Sequence, residues 1–210
     1  MKAEIVSTLL KEKITAIVRG IPADKVCPVA DALLAGGVHC IEVTFNTPGA
    51  VDMIRTLKCK YGAQMLVGAG TVLDTETCKT AIDAGADFIL SPTLNPDVIR
   101  MCNRYGKAAV PGVMTPTEIL TAMECGADIV KVFPAGSLGV SYIKDVLGPL
   151  NHACIMAVGG VDADNAAAFF KAGAKCLGVG SALVSKALIE NGDYAAITAR
   201  AQAFAAAAGR

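Results

Sequence analysis

One repeated pattern constrains the fold of this 210-residue chain more than any other feature: a helix-like segment ends at glycine, and an apolar strand follows at once. The pattern occurs four times, at 33–45, 81–92, 122–133 and 170–181. Glycine just past a helix end can adopt the left-handed conformation that closes the helix. This role is predicted for Gly36, Gly85, Gly126 and Gly173. Because the strands are almost continuously apolar, we expect a parallel sheet covered on both faces.

Further strands and helices fill the intervals between these copies. Strands are predicted over 14–19, 40–45, 65–69, 87–91, 107–111, 128–133, 154–158 and 176–180. Helices are predicted over 3–12, 23–35, 48–60, 74–84, 95–105, 116–125, 140–148, 162–172 and 193–207, with Asn95 and Asp162 as N-caps. Regular alternation without a domain-sized insertion predicts an α/β fold, a single (β/α)8 TIM-barrel domain over 1–210 with an extra N-terminal helix. The alternative is an open, doubly wound sheet.

Composition narrows the class of ligand. The chain has 19 basic and 19 acidic residues, so its formal net charge is zero, which gives no electrostatic reason to expect nucleic acid or a membrane surface as partner. The eight cysteines form no C-x-x-C pair, which is typical of free thiols in a reducing compartment. Charges interrupt the N-terminal segment, and no apolar run is long enough to span a bilayer. We therefore expect a cytoplasmic protein that binds a small molecule.

A lysine lies inside an apolar strand, in the stretch DIVKVFPAG at 128–136. Strand alternation places Ile129, Lys131 and Phe133 on one face, which we expect to be the barrel interior. Burial disfavours the ammonium form and lowers a lysine pKa, and a neutral amine can form a Schiff base with a carbonyl group. Glu42, in the second predicted strand, is the candidate proton-transfer group. The alternative is a structural Lys131–Glu42 ion pair that fills the barrel.

Barrel enzymes place their chemistry at the carboxyl ends of strands. Two glycine-rich turns, in AVGGVDADN (157–165) and LGVGSALV (177–184), follow the seventh and eighth predicted strands. Such turns bind phosphate through backbone N–H groups, although tight turns alone also use glycine. The segment GAGTVL lacks the third glycine of a dinucleotide-binding fingerprint. His39 and His152 are predicted at the opposite end of the barrel, so we expect no catalytic metal.

Seven segments of the chain resemble the KDPG/KHG aldolase family. They are IEVTFNTPGA, GAGTVL, ILSPTLNP, PGVMTPTEI, VKVFPAG, GGVDADN and GVGSALV. The resemblance extends over nearly the whole chain and is most specific at VKVFPA. It implies cleavage of 2-keto-3-deoxy-6-phosphogluconate or 4-hydroxy-2-oxoglutarate to pyruvate plus glyceraldehyde 3-phosphate or glyoxylate. It also implies a homotrimer that uses no cofactor.

The resemblance implies roles for individual residues. Lys131 matches the Schiff-base lysine and Glu42 the glutamate that moves protons. Thr71 matches the threonine near the substrate carboxylate, whereas Pro92 and Phe133 match residues that line the pocket. The phosphate site is matched by Gly159, Gly160, Gly180 and Ser181.

Two positions depart from the pattern of many members. Asn46 stands where those members carry an arginine that binds the pyruvate carboxylate, so we expect Arg19 to replace it; the alternative is that Arg19 is a surface residue of its loop. Ala157-Val158 stands where many gluconate-type members have Pro-Thr. At both positions the chain is similar to 2-keto-3-deoxy-6-phosphogalactonate aldolases, which makes that reaction the alternative. Val158 is accordingly a candidate for reading the C4 configuration, unless it only packs against the neighbouring strand.

Two other classes of function fit a barrel with a phosphate site. One is a phosphosugar isomerase or epimerase, which requires a pair of bases or a metal that the sequence does not supply. The other is a non-catalytic barrel that binds phosphosugars. Neither accounts for Lys131 within an apolar strand.

Overall fold

The computed structural model describes residues 2–210, and these form one parallel sheet surrounded by helices. The strands are β1 (Ile14–Val18), β2 (Cys40–Thr44), β3 (Leu66–Gly70), β4 (Phe88–Leu90), β5 (Ala108–Val110), β6 (Gly112–Val113), β7 (Val130–Val132), β8 (Ile155–Val158) and β9 (Cys176–Val179). The helices are α1 (Lys2–Glu12), α2 (Val26–Ala35), α3 (Ala50–Tyr61), α4 (Thr75–Asp83), α5 (Pro96–Arg104), α6 (Pro116–Glu124), α7 (Ala135–Leu138), α8 (Val140–Leu147), α9 (Ala166–Lys171), α10 (Lys186–Glu190) and α11 (Tyr194–Ala207), with a 3-10 turn at Ala23–Lys25.

The strand order makes the sheet a nearly closed barrel. The nine strands pair in the order β5-β4-β3-β2-β1-β9-β8-β7-β6, and every pair is parallel. The two terminal strands of this order, β5 and β6, are separated in the chain only by Pro111. The fifth predicted strand, 107–111, corresponds to β5, which ends before Pro111 because proline has no N–H to donate. The two-residue strand β6 lies beyond the predicted bounds, so the sheet has nine strands instead of the predicted eight. The Pro111 carbonyl still accepts the Lys131 N–H at 2.8 Å, which joins this position to β7.

Apolar side chains form two layers on opposite faces of the strands. Val130 and Val132 pack in the layer between strands and helices, whereas Ile129 and Phe133 belong to the cluster inside the barrel. The predicted alternation along this strand is therefore confirmed. Larger members of the interior cluster are Ile17, Phe88, Leu90, Met156 and Val158.

Helix α1 closes the amino-terminal end of the barrel. Ile5 and Leu9 pack into the interior cluster, and the Leu9 carbonyl accepts a hydrogen bond from the thiol of Cys176, the first residue of β9. At the same end, His39 Nδ1 lies 2.8 Å from a carboxylate oxygen of Glu12. His152 is exposed in the turn that precedes β8. Both histidines thus lie at the end opposite the strand carboxyl termini, as predicted.

Three of the four predicted glycine caps are confirmed. Gly85, Gly126 and Gly173 have φ of 102°, 97° and 112°. Gly36 has a φ of −91° and the next residue, Gly37, takes the left-handed conformation with φ 80°. A Cβ on Gly36 would overlap the Ala201 side chain of α11. This glycine therefore allows α2 and α11 to pack closely and does not form the left-handed cap.

The two predicted N-caps, Asn95 and Asp162, have different outcomes in the structure. Asn95 caps α5 as predicted, since its side chain accepts from the Asp97 N–H at 3.0 Å. The prediction for Asp162 is wrong: its carboxylate accepts from Asp164 and Asn165, which forms a turn, and the helix begins only after Asn165. The short helices α7 and α10 were not predicted, because four and five residues are too few to show helical periodicity.

The eight cysteines are all free thiols, and four of them are buried. Among residues 2–210, no helix combines the length and the apolar character needed to cross a bilayer.

Candidate active site

Lys131 is the central residue of β7 and its side chain is only 4% exposed. Its neighbours in the sheet are Gly112 on one side and Met156 on the other. Because residues on either side of it face the outer layer, Lys131 points into the barrel. The structure therefore places the lysine where the sequence predicts it.

Phe133 forms one wall beside the amine. The Lys131 Nζ atom lies 4.9 Å from the centroid of the Phe133 ring. The ring also lies against Gly159, since a Cβ at that position would come within 3.0 Å of it. Phe133 is joined to Pro134 by a cis peptide bond. The sequence predicted Phe133 as a lining residue, and its ring does lie beside Lys131.

Glu42 is buried at the centre of β2, with 1% of its surface exposed. Its carboxyl group occupies the space beside Gly70 of β3, where a Cβ would overlap it. Within residues 2–210, the Glu42 Oε2 atom has no hydrogen-bond partner, and no ion pair joins Glu42 to Lys131. The alternative of a structural Lys131–Glu42 ion pair is therefore not what the structure shows.

Burial shifts the pKa values of Glu42 and Lys131 in the directions that favour the neutral form of each group. Desolvation raises the pKa of Glu42, while the positive charges of Lys131 and Arg19 oppose this increase. Desolvation likewise lowers the pKa of Lys131; the charge of Glu42 opposes that decrease and the charge of Arg19 adds to it. The amine is thus closer to its nucleophilic form than an exposed lysine would be.

Arg19 follows β1 directly and is exposed. Its charge affects the pKa of both Glu42 and Lys131, so it lies near the two buried groups. Within residues 2–210 its guanidinium forms no ion pair and no hydrogen bond. The next residue is held in place, because the Gly20 N–H donates to the Thr47 hydroxyl at 2.8 Å.

Thr71 and Pro92 follow β3 and β4 at the same end of the barrel. Thr71 has a φ of 58°, which is a strained conformation for a β-branched residue and is found most often at functional sites. Pro92 packs against Gly112, where a Cβ would overlap the Pro92 backbone. No hydrogen bond among residues 2–210 connects Thr71 or Pro92 to Lys131.

Val158 is the last residue of β8, is 2% exposed and points into the barrel. Its Cγ2 atom lies above Gly178 of β9, where a Cβ would be only 2.8 Å away. Val158 thus presents methyl groups at the carboxyl end of its strand, and it also packs on the neighbouring strand. This position is compatible with a contact to C4 of the substrate and with a role limited to packing against β9.

The two glycine-rich turns lie on neighbouring strands. Gly159 and Gly160 have φ of 85° and 71°, and the Gly159 carbonyl accepts the Gly136 N–H at 2.7 Å. After β9, the Gly180 carbonyl closes a turn and Ser181 is exposed. Within residues 2–210, the N–H groups of Gly160 and Ser181 donate to no other group. These amides remain available to an anion.

Sequence reasoning missed three glycines that shape the site. Gly70 gives room to the Glu42 carboxyl, Gly112 to the Pro92 backbone, and Gly136 to the turn at Gly160. A glycine inside a strand is a general signal of close approach, but the predicted strands end at 69 and 111, so Gly70 and Gly112 fell just outside them. Their partners are defined only by the folded barrel. No group of three or more His, Cys, Asp or Glu side chains suited to a metal exists within residues 2–210.

Comparison with known proteins identifies the family. A model of the KDPG and KHG aldolases matches residues 5–200. The chain belongs to this aldolase family. It is therefore an aldolase, an enzyme of the lyase class, and this favours the aldolase hypothesis over the isomerase and the non-catalytic barrel.

Three relatives show how similar this aldolase is to characterised members. It is 35% identical to the 2-dehydro-3-deoxy-phosphogluconate aldolase of Haemophilus influenzae, over 91% of this chain and 90% of that one. It is 36% identical to the 2-dehydro-3-deoxy-6-phosphogalactonate aldolase of Escherichia coli, over 82% and 85%. A solved KDPG aldolase of Legionella pneumophila, with pyruvate captured as a covalent carbinolamine, matches with a TM-score of 0.86 at 25% identity, over 97% and 98%.

Proposed function

We propose that this aldolase cleaves 2-keto-3-deoxy-6-phosphogluconate to pyruvate and glyceraldehyde 3-phosphate through an imine on Lys131. The observation that carries the proposal is the buried amine of Lys131, which points into the barrel with a lowered pKa while Glu42 nearby keeps an unpartnered carboxylate oxygen. A lysine that forms an imine must be neutral, and burial of Lys131 favours that form.

In the first half of the reaction, the neutral amine of Lys131 attacks the C2 carbonyl of the substrate. Glu42 in its acid form gives a proton to the carbonyl oxygen, and its carboxylate then takes one from the nitrogen, which yields a carbinolamine and restores the acid form of Glu42. Glu42 then assists departure of the hydroxyl group as water, and a protonated imine forms. The raised pKa of Glu42 supports this role, because a carboxyl group that keeps its proton to higher pH can act as an acid.

In the second half, the Glu42 carboxylate formed on loss of water removes the proton of the C4 hydroxyl, which it later gives to C3, and the C3–C4 bond breaks. The electron pair of that bond moves to C3 and on to the imine nitrogen, so an enamine forms and the aldehyde leaves. Protonation at C3 restores the imine, and one water molecule hydrolyses it to pyruvate and free Lys131. Water is therefore released once and consumed once.

Arg19 is proposed to bind the substrate carboxylate. A guanidinium can hold a carboxylate with two parallel hydrogen bonds, and Asn46 cannot provide the missing charge. The proposal is supported by the influence of Arg19 on the pKa of Lys131 and by its lack of an ion pair within residues 2–210. Thr71 is proposed to contact the same carboxylate, with Pro92 and Phe133 as walls of the pocket.

The phosphate group is proposed to bind the amides of Gly159, Gly160, Gly180 and Ser181. The left-handed conformations of the first two and the neighbouring positions of β8 and β9 support this assignment. Glyoxylate-forming cleavage of 4-hydroxy-2-oxoglutarate requires no phosphate contact and is compatible with the same imine chemistry.

The galactonate epimer is the second candidate substrate. It is favoured by Val158, whose methyl groups offer no hydrogen bond to the C4 hydroxyl. It is also favoured by Asn46, which stands where many gluconate-type members have an arginine, together with Arg19, which is proposed to take over the role of that arginine. The relatives named after the two epimers are almost equally similar in sequence to this chain, so identity alone does not decide between them.

A homotrimer in the cytoplasm is proposed from the family resemblance. Leu73 and Met114, which follow β3 and β6, expose large apolar side chains at the carboxyl end of the barrel, as does Leu120 of α6, and such side chains suit a subunit interface. We also propose that β5 and β6 count as one barrel strand divided by Pro111. The chain would then be a single (β/α)8 domain with α1 as an additional N-terminal helix.

The proposal is tested by trapping the imine with borohydride in the presence of pyruvate. The protein is expected to gain the mass of one reduced pyruvate adduct, located on Lys131, and the Lys131→Met variant is expected to gain none. Lys144, which lies on α8, serves as a control position for the peptide map. Arg19→Ala is expected to need a higher pyruvate concentration for the same labelling. An adduct on any lysine other than Lys131 contradicts the proposed chemistry.

A further inference from the structure

Basic residues are rare at the carboxyl end of the barrel. The segments that join a strand end to the next helix or 3-10 turn are 19–22, 45–49, 71–74, 91–95, 114–115, 133–134, 159–165 and 180–185. Arg19 is the only lysine or arginine in them, and inclusion of the first residue of each following helix adds only Lys186. Lys25, the last residue of the 3-10 turn, is paired with Asp24 at 3.3 Å. Arg19 and Lys186 are therefore the basic side chains in this set that have no ion-pair partner within residues 2–210.

Lys186 reaches from the segment after β9 to the segment after β1. Its Nζ atom lies 2.9 Å from the position that a Cβ would occupy on Gly20. Gly20 is the residue after Arg19, and β1 and β9 are neighbours in the sheet. The ammonium group of Lys186 is thus held beside the loop of Arg19, five residues after Ser181 in sequence.

Lys186 has no partner of opposite charge among the residues that the structure describes. The side chain is exposed, and within residues 2–210 it takes part in no ion pair and no hydrogen bond. The acidic residues of the neighbouring segment have other partners or positions: Asp162 accepts two backbone N–H bonds, and Asp164 is exposed. The ammonium of Lys186 is consequently available to an external anion.

The proposed substrate carries two anionic groups, whereas Arg19 accounts for only the carboxylate. Backbone N–H groups of the glycine turns can orient a phosphate, but they contribute no full positive charge. A lysine ammonium is a compact charge with three donors, and lysine commonly serves as a point charge for phosphate.

We propose that Lys186 is a further substrate-binding residue, whose ammonium pairs with the phosphate group and makes the enzyme favour phosphorylated over unphosphorylated 2-keto-3-deoxy acids. The inference rests on the proposed function, because it requires the phosphate to lie at Gly180 and Ser181. It adds a residue from α10 to the site, which neither the sequence pattern nor the resemblance assigns.

The test compares Lys186→Met with the unmodified protein on 2-keto-3-deoxy-6-phosphogluconate and on unphosphorylated 2-keto-3-deoxygluconate. The ratio of the two kcat/KM values is expected to fall about tenfold, mainly through KM for the phosphorylated substrate, as befits one charge-assisted contact in a partly exposed site. Lys186→Arg is expected to retain most of the ratio. Lys171→Met, which removes an exposed lysine at the carboxyl end of α9, is the matched control for loss of one charge.

Two results overturn the inference. One is an unchanged ratio in Lys186→Met, and the other is an equal fall of the ratio in Lys186→Met and Lys171→Met, which would reflect only the overall charge. Borohydride trapping with pyruvate separates this inference from the proposed function. If Lys186→Met traps pyruvate normally while the ratio stays constant, only the role of Lys186 is wrong; if the unmodified protein traps no pyruvate, the proposed function itself is wrong.

Discussion

The pKa values of Glu42 and Lys131 are shifted in opposite directions by the same cause, which is burial. Burial raises the pKa of the carboxyl group and lowers the pKa of the amine, so the two groups hold their protons with more similar strength than they would in water. Their opposite charges only partly counteract this effect. The shifts bring the two pKa values closer together, which favours proton transfer between Glu42 and an intermediate on Lys131.

Substitution of Glu42 by glutamine tests this relation through both rate and pH dependence. Turnover is expected to fall by roughly two to four orders of magnitude, the usual size of a general acid–base contribution. The negative charge of Glu42 raises the pKa of Lys131, so its loss is expected to lower that pKa further. The rising limb of imine formation with pyruvate should consequently move to lower pH in Glu42→Gln.

The unmodified enzyme, measured over the same pH range, is the reference for this prediction. A folded Glu42→Gln protein with nearly normal turnover would show that another group moves the protons. A limb that moves to higher pH would show that the charge of Glu42 does not act on Lys131.

Val158→Thr is expected to change the preference between the gluconate and galactonate epimers. A threonine hydroxyl at this buried position can bond one C4 configuration and is left unpaired with the other, a difference worth about 1–3 kcal/mol. The ratio of kcat/KM for the two epimers should therefore change by roughly tenfold to a hundredfold. An unchanged ratio would mean that Val158 serves only to pack above Gly178.

The sequence was sufficient to predict Lys131 and Glu42, because a charged residue within an apolar strand stands out against the alternation of its neighbours. It was not sufficient for the conformation of Thr71. A φ of 58° at a β-branched residue contradicts local preference, and it is imposed by the surroundings. The absence of an ion pair between Glu42 and Lys131 also depends on the distance across the barrel, which no local pattern encodes.

At the level of strands and helices, glycine has two functions that the sequence does not distinguish. Gly85 is a left-handed cap, whereas Gly36 in the corresponding position allows α2 and α11 to approach closely. In the same way, the side chain of Asp162 stabilises a turn before α9 instead of the helix itself. The existence and order of the longer elements follow from local patterns, whereas the short β6, α7 and α10 do not. The contact that each boundary residue makes is a property of the assembled barrel.

Gly70→Ala is expected to disturb the site through β3. The added methyl group would overlap the Glu42 carboxyl group, which must then rotate or move away from the barrel interior. Because a small misplacement of a catalytic group is costly, turnover should fall by about a hundredfold while the protein remains folded. Gly148→Ala, where the nearest atom is a backbone oxygen 3.2 Å away, is a control far from Glu42. Normal turnover in Gly70→Ala would show that Glu42 does not depend on this space.

For the whole molecule, the buried site lowers the stability of the barrel. The folded state holds the Glu42 proton more tightly than the unfolded state does, so stability falls as pH rises from about 4.3 through the raised pKa. The folded state holds the Lys131 proton less tightly, so stability also falls as pH decreases from about 10.4 through the lowered pKa. Both groups therefore reduce stability near neutral pH.

The double variant Glu42→Met/Lys131→Met is expected to be inactive and more stable than the unmodified protein. Replacement of buried ionisable groups by apolar ones of similar volume commonly stabilises a protein by about 1–4 kcal/mol. Thermal unfolding at pH 7 measures the difference, and the midpoint should rise by several degrees. The single variant Lys131→Met, which leaves Glu42 without an opposing charge inside the barrel, should gain less. A lower midpoint in the double variant would contradict this account.

Helix α1 has a consequence for the order in which molecules move through the enzyme. Since its Ile5 and Leu9 fill the amino-terminal end of the barrel, we expect substrates to reach Lys131 from the carboxyl ends of the strands. In the proposed reaction, the pyruvate portion is bonded to the lysine deep inside, and the aldehyde lies between it and the exit. Departure is thus sequential: the aldehyde must leave first, and in the synthetic direction pyruvate must arrive first.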